Sequence, residues 1–179
     1  LARVGKAILV LASLYCLLFQ GIGAVGMLSA DEPRYAAIGR EMALSGDWIT
    51  PRLWGEPWFE KPPLLYWMTA AAWKFGLQDE WAARLPIALC SLAFLIFFQR
   101  WMMRAHDDAA IAWRAVLMLA TCVGWIAYST VSVTDIPLAV TFSVAMLLAL
   151  PEHDRITPWA GVFLGLAMLA KGFVPLVLA

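Results

Sequence analysis

Apolar runs long enough to cross a bilayer constrain this chain more than any other feature of its sequence. The chain is 63% hydrophobic and 15% charged, and its mean hydropathy is +0.75, as is typical of integral membrane proteins. Because runs of about 20 apolar residues suit spanning helices, the predicted fold class is an all-α polytopic membrane protein. The formal net charge of zero gives no reason to expect a nucleic acid as a partner.

Five apolar runs are predicted to span the membrane, and a sixth begins after Lys171-Gly172. They cover residues 7–28, 85–103, 115–133, 137–150 and 158–170. The chain starts without Met and stops inside the sixth run. We therefore expect residues 1–179 to form a single transmembrane domain, the amino-terminal part of a longer bundle, with about five spans plus a truncated sixth.

The segment 29–84 separates the first two predicted spans and is richer in charged and aromatic residues. Asp31 and Pro33 suit the start of a helix that runs to about residue 44, and Pro62-Pro63 opens a second helix, 64–75. An apolar run of about 12 residues is too short for a span, and six of the ten Trp lie between positions 48 and 81, as at a membrane–water boundary. We interpret the segment as an external loop with two interfacial helices.

If the second helix lies in the interface, charged residues from distant parts of the sequence fall on one face of the membrane. These are Asp31, Glu60, Lys61, Asp135 and Lys171. Lys and Arg are equally numerous on the two sides, but the cations before the first span and around the connector after the second favour a cytoplasmic location there. The charged loop is thus predicted to face the outside of the cell.

Each charged residue has a structural interpretation beside a functional one. Asp31 suits a helix N-cap with Glu32 as its solvated neighbour, and it also suits a general base at the rim of a membrane cavity. Asp135 suits the N-cap of the fourth span, and Lys171-Gly172 suits a helix C-terminus. The two prolines after Glu60-Lys61 fix the direction of both side chains. Charges near the bilayer interior are costly and mark functional sites, so their grouping favours function.

The cations Arg34, Lys61 and Lys171 suit an anionic lipid headgroup at the mouth of a hydrophobic bundle. Cations can neutralise a phosphate, and a leaving phosphate gathers negative charge as its bond to a sugar breaks. Preorganised cations would lower that barrier. Because phosphate is a good leaving group, such a reaction needs no general acid.

Three motifs carry a resemblance to a known family. They are DEPRYAAIGREMALSGDWITPRLWGEPWFEKPPLLYWM at residues 31–68, the Thr-Asp-Ile-Pro turn around Asp135, and Ala-Lys-Gly around Lys171. With these motifs the chain resembles the GT-C fold polyprenyl-phosphate-sugar glycosyltransferases, in particular the aminoarabinose transferases and the related dolichyl-phosphate-mannose-protein mannosyltransferases. The resemblance covers almost the whole chain, and the first motif is the most specific.

The resemblance implies transfer of a sugar from a polyprenyl-phosphate donor, with inversion, to a lipid A-like or envelope glycan acceptor. The reaction would face the periplasm at the bacterial inner membrane. By position, Asp31 matches the candidate base or acceptor-orienting acid, and Asp135 matches a second acid near the site. The residues matching donor-phosphate cations are Arg34, Lys61 and Lys171. Glu60 matches a residue that can help to hold a divalent metal ion, such as zinc, magnesium or manganese.

Two alternatives stay open from the sequence. One is a protein O-mannosyltransferase-like enzyme, in which Asp31 would have to deprotonate a hydroxyl acceptor. The other, from a different functional class, is a transporter of anionic lipid. Transporters tend to show related halves, and no internal repeat is visible here. The sequence does not identify the sugar, the acceptor, the metal or the oligomeric state.

Overall fold

The computed structural model describes residues 10, 12–150 and 157–178, and these form helices with one short hairpin. In chain order the helices are α1 Asp31–Ser45, α2 Leu64–Lys74, α3 Asp79–His106, α4 Ala109–Ala120, α5 Val123–Ser129, α6 Asp135–Ala149, α7 Pro158–Lys171 and α8 Val174–Leu178. The strands are β1 Arg52–Leu53 and β2 Glu56–Pro57, between α1 and α2. The prediction of a helical fold is confirmed.

The first predicted span, 7–28, is wrong at its carboxyl end, and its start lies outside the described residues. Residues 12–18 are helical, and turns follow from residue 19. Gly21 has a left-handed φ of 85°, which favours glycine over other residues. The backbone carbonyls of Ile22, Val25 and Gly26 accept hydrogen bonds from Arg84. The non-helical segment after residue 18 therefore has a side-chain partner for three of its carbonyls.

The segment 29–84 contains two helices, as predicted, and their interfacial position stays a prediction. The first, α1, ends at Gly46, whose φ is 76° and whose N–H donates to the carbonyl of Met42. A glycine in the left-handed conformation commonly ends an α-helix. The second, α2, packs against α1 at a close approach. A Cβ at Gly39 would lie 2.6 Å from the Cβ of Thr69, so this contact requires glycine. The helix pair is thereby held at a fixed separation.

The hairpin between these helices is tight. Its two strands pair antiparallel, with Arg52 opposite Pro57 and Leu53 opposite Glu56. The turn residues Trp54 and Gly55 both have positive φ, 56° and 85°, as the two-residue turns that match strand twist require. The hairpin therefore projects an exposed Trp ring from the loop.

The second predicted span lies inside α3, which is 28 residues long and begins six positions before residue 85. The extension places Arg84 within the helix, where its side chain is buried and paired. This helix is long and apolar enough to cross a membrane. Residues 79–84 therefore belong to α3, and the polar segment ends earlier than predicted.

The prediction that the third span, 115–133, is one continuous helix is wrong. Helices α4 and α5 meet at a 63° bend and together also have the length and composition of a span. At the break the Thr121 hydroxyl donates to the carbonyl of Leu117 at 2.7 Å, a contact that often bends helices. Cys122 is extended, with φ of −64° and ψ of 127°.

The fourth and fifth predicted spans correspond to α6 and α7, which pack against each other. They contain 15 and 14 residues, about 22 Å at 1.5 Å per residue. That length is shorter than the hydrocarbon core of a bilayer, about 30 Å. A buried cluster that includes Leu65, Phe94 and Val140 joins α2, α3 and α6 into one core.

Candidate active site

Four charged residues of the predicted site form an alternating chain of ion pairs. Asp31 and Arg34 lie one turn apart on α1 and are in direct contact. Arg34 reaches Glu60 at 3.3 Å, and Glu60 reaches Lys61 at 3.5 Å. The Arg34 guanidinium also lies 5.9 Å from the ring centroid of Trp58, close enough for a cation–π contact. The chain of charges therefore packs against an aromatic side chain at Arg34. About a third of each of the side chains of Arg34, Glu60 and Lys61 is exposed.

Asp31 does not cap α1 as predicted. Ala30 occupies the N-cap position and makes no side-chain capping bond, while Asp31 lies in the first helical turn. Its carboxylate is engaged by Arg34 instead. About half of the Asp31 side chain is exposed, so a substrate could reach it.

Asp135 and Lys171 form a second ion pair. Lys171 Nζ donates to Asp135 Oδ1 at 2.9 Å and so joins the end of α7 to the start of α6. The predicted N-cap role of Asp135 is wrong by one position, because Thr134 occupies the cap. The predicted helix end at Lys171-Gly172 is confirmed, and Gly172 has a φ of 66°.

An open cleft of about 530 Å³ brings the two sets of charges together. Its lining includes Lys61, Lys171 and Glu60. The remaining lining residues are Ile49, Pro51, Phe59, Pro62, Pro63, Gly172 and Val174. The six predicted site residues thus gather around one cleft, since Arg34 contacts Glu60, Asp31 contacts Arg34, and Asp135 contacts Lys171. Their individual roles stay predictions.

Glu32 and Arg84 are the residues that sequence reasoning missed. Glu32 was expected to be solvated, but it is completely buried. Arg84 Nε and Nη2 donate to its two carboxylate oxygens at 2.7 and 2.8 Å. The backbone N–H groups of Leu28 and Ser132 donate to the same carboxylate at 2.6 and 2.8 Å.

A signal for the burial of Glu32 was present in the sequence. The residue shares one face of α1 with Tyr35, Ala36, Gly39 and Ala43, all of which are buried, at the spacing of a helical stripe. Asp31 has the same helical spacing from the buried Tyr35, Ile38 and Met42, so the stripe does not by itself separate the two acids. The partner of Glu32 could not be found in this way, because Arg84 is 52 residues further along the chain.

The environment of Glu32 keeps it ionised. Burial by itself raises the pKa of the carboxyl, but hydrogen bonds from Arg84, Ser132 and Leu28 outweigh burial and lower the pKa below its ordinary value. A buried carboxylate with several charge-assisted donors is a stable anion. Glu32 is therefore a fixed buried charge on α1, next to Asp31.

A metal ion at Glu60 would need further ligands. Among the residues that the structure describes, no group of three or more His, Cys, Asp or Glu side chains lies together. Glu60 lies instead between Arg34 and Lys61, two cations that repel a metal ion. These residues do not fit a metal centre by themselves, and the metal role of Glu60 stays a prediction on which no step below depends.

Comparison with known proteins places this chain in a family of sugar transferases. The family described as dolichyl-phosphate-mannose-protein mannosyltransferase matches residues 4–179. Undecaprenyl phosphate-alpha-4-amino-4-deoxy-L-arabinose arabinosyl transferase 1 of Proteus mirabilis is 32% identical over 157 residues, covering 83% of this chain and 28% of the relative. The arabinosyl transferase 1 with the same description from Sodalis glossinidius is 36% identical over 159 residues, covering 82% of this chain and 28% of the relative. The chain therefore spans less than a third of the length of these relatives.

Two solved structures are similar over nearly the whole chain. ArnT from Cupriavidus metallidurans in the apo state superposes with a TM-score of 0.88 and 29% identity, over 99% of this chain and 35% of that one. The same protein bound to undecaprenyl phosphate gives a TM-score of 0.87 and 29% identity, over 97% and 34%. The arrangement of helices seen here is therefore that of a protein solved with a polyprenyl phosphate.

Proposed function

The chain belongs to the dolichyl-phosphate-mannose-protein mannosyltransferase family, and from that membership we propose that its charged cleft transfers a sugar from a polyprenyl-phosphate donor. The proposed acceptor is a lipid A-like molecule or an envelope glycan, and the anomeric configuration is inverted. The observation that carries the proposal is that Lys61 and Lys171 line one cleft. Two lysines that line one open cleft suit the binding of a phosphate there.

The donor phosphate is held by Arg34, Lys61 and Lys171 in this proposal. Each cation is kept in place by a carboxylate partner, Asp31 or Glu60 for Arg34, Glu60 for Lys61 and Asp135 for Lys171. As the bond between the anomeric carbon and the phosphate oxygen breaks, its electron pair leaves with the phosphate. Cations already in position stabilise that charge without reorganisation.

The acids of the site act on the acceptor. An acceptor oxygen attacks the anomeric carbon from the side opposite the leaving phosphate, which gives the inversion. If that oxygen belongs to a hydroxyl group, its proton passes to Asp31, whose carboxylate is half exposed. If it belongs to a phosphate, the acceptor is already anionic and Asp31 only orients it. Asp135 keeps Lys171 directed at the cleft through their 2.9 Å contact.

The site is proposed to face the periplasm at the bacterial inner membrane. Helix α3 carries Arg84 near its start and Arg104 near its end, about 30 Å apart along the axis at 1.5 Å per residue, the thickness of the hydrocarbon core. Arg84 joins the candidate site through Glu32, and the other end of the helix carries the cations that the positive-inside rule assigns to the cytoplasm.

Substitution of Lys61 tests the proposed function in the native full-length protein. We expect Lys61→Ala and Asp31→Asn to abolish transfer from undecaprenyl-phosphate aminoarabinose to lipid A while the protein still accumulates in the membrane. Lys74→Ala, which removes an exposed lysine from the end of α2, is the matched control and should transfer normally. Near-normal transfer by both site variants would contradict the proposal.

A protein O-mannosyltransferase-like activity is the second candidate, because the matching family carries that description. The two activities differ in whether Asp31 has to accept a proton from the acceptor. A Ser or Thr hydroxyl must lose its proton, whereas a lipid phosphate need not. Transfer of mannose to a peptide by the wild-type protein, with complete loss in Asp31→Asn, would favour the second candidate.

A further inference from the structure

The carboxylate of Glu32 has its hydrogen-bonding capacity filled by the protein. A carboxylate offers about four acceptor positions, and Glu32 receives donors from Leu28, Ser132 and two nitrogens of Arg84. The side chain is also wholly buried. Glu32 therefore does not touch a substrate, and a role in the reaction must act through the groups that it holds.

Those groups adjoin, along the chain, the two sets of charges at the cleft, which we call its walls. One wall is Asp31 with Arg34, which reaches the lining residue Glu60. The other is Asp135 with the lining residue Lys171. Glu32 directly follows Asp31 and precedes Arg34 on the same helix. Its hydrogen bond from Ser132 spans 100 positions of sequence and fixes the backbone three residues before Asp135. One buried carboxylate thus holds the Asp31–Arg34 wall against the Asp135–Lys171 wall.

Arg84 fixes this carboxylate from a third direction. Its guanidinium binds Glu32 through two nitrogens and the carbonyls of Ile22, Val25 and Gly26 at 2.7 to 2.9 Å. Two parallel bonds set both the distance and the angle of the pair, which a lysine could not do. An apolar pair could match an ion pair in stability, but it would leave the Ser132 N–H without its acceptor.

We propose that the buried Glu32–Arg84 pair is a positioning element that sets the spacing of the two cleft walls for sugar transfer. This inference rests on the proposed function. A merely structural pair would lower the amount of folded protein and leave each folded molecule fully active. A positioning pair lowers the turnover of folded molecules, since misplacement by about 1 Å can cost roughly 100-fold in rate.

Charge-preserving variants separate these two roles. Glu32→Asp is one methylene shorter and cannot reach Arg84 and Ser132 together, and Arg84→Lys loses the paired donors. In purified full-length protein we expect kcat to fall ten- to hundred-fold in both, with a smaller change in KM for the donor. Ser91→Ala is the matched control, because it removes a buried 2.7 Å hydrogen bond to Ser129 away from the cleft. It should keep the wild-type kcat.

A distance measurement across the cleft tests the positioning proposal without an activity assay. Spin labels at Ile49 and Val174, which both line the cleft, report the distance between the loop after α1 and the start of α8 once the native cysteines are replaced. We expect the distance distribution to shift or broaden in Glu32→Asp and Arg84→Lys, and to stay unchanged in Ser91→Ala. A wild-type distribution or a wild-type kcat in either folded charge-preserving variant overturns the proposal.

Two further outcomes are also decisive. If neither charge-preserving variant stays folded, the pair is required for folding itself, and the positioning proposal is overturned. If the wild-type protein transfers no sugar while the spacing still depends on Glu32, the proposed function fails and the spacing role stands.

Discussion

Lys171 donates a hydrogen bond to Asp135 at 2.9 Å, although 36 positions separate the two residues in the chain. The pair joins the last turn of α7 to the first turn of α6. An acid at a helix start and a cation at a helix end each interact favourably with the helix dipole. Both charges are therefore held in place by their own helices as well as by each other.

Loss of the Lys171 cation should weaken donor binding more than it weakens the fold. We expect Lys171→Ala to raise KM for the polyprenyl-phosphate donor by about ten- to hundred-fold, the effect of losing a charged hydrogen bond of roughly 1.5–3 kcal/mol. Lys171→Arg, which keeps the charge, should lie between Ala and wild type. The thermal stability should change little, since partly exposed pairs contribute about 0–1 kcal/mol. Equal KM values for Lys171→Ala and wild type would exclude the residue from donor binding.

The contact between α1 and α2 should not tolerate a methyl group at position 39. A Cβ there would lie 2.6 Å from the Cβ of Thr69 and 3.2 Å from the carbonyl oxygen of Tyr66. We expect Gly39→Ala to destabilise the protein by about 1–3 kcal/mol, the usual cost of overpacking, measured as thermal unfolding in detergent. Gly165→Ala on α7 is the control, because a Cβ there has no neighbour within 4 Å. An unchanged midpoint in Gly39→Ala would refute the close approach.

Acid should loosen the loop that follows α1. The backbone N–H groups of Thr50 and Ile49 bond to the Asp47 carboxylate and lower its pKa below the ordinary value of 3.8. A depressed folded-state pKa contributes stability that is fully present above pH 3.8 and is lost as the pH falls through the lowered value. We expect the protection of these two amides against hydrogen exchange, corrected for intrinsic rates, to fall in that window. In Asp47→Asn the protection should be lower at neutral pH and no longer depend on pH.

The proposed topology predicts which positions an impermeant reagent can reach. In a protein without its native cysteines, Ala30→Cys beside Asp31 and Val133→Cys beside Asp135 should both react with a thiol reagent added to the periplasmic side. Ala105→Cys, near the other end of α3, should react only after the membrane is opened. Labelling of just one of the first two positions would show that the two acids do not share a membrane face.

Local sequence patterns identified most of the helices and all six charged residues now found around the cleft. The start of α1 followed from Asp31 and Pro33, although the N-cap itself is Ala30. The start of α2 followed from Pro62-Pro63, because signals for helix starts act within a few residues. The same holds for the end of α7 at Lys171-Gly172. These features depend on neighbours in the chain, so a sequence alone determined them.

Only the tertiary structure determined which charged residues pair with each other. The burial of Glu32 and the extension of α3 to include Arg84 belong to one hydrogen-bond network, which also includes carbonyls beyond the helical residues 12–18. Apart from Leu28, the partners of Glu32 and Arg84 in this network are 52 to 100 positions away along the chain. A charged residue is stable in the interior only when distant partners satisfy it. No local pattern contains these distant partners, and for that reason the buried Glu32–Arg84 pair became visible only in the folded chain.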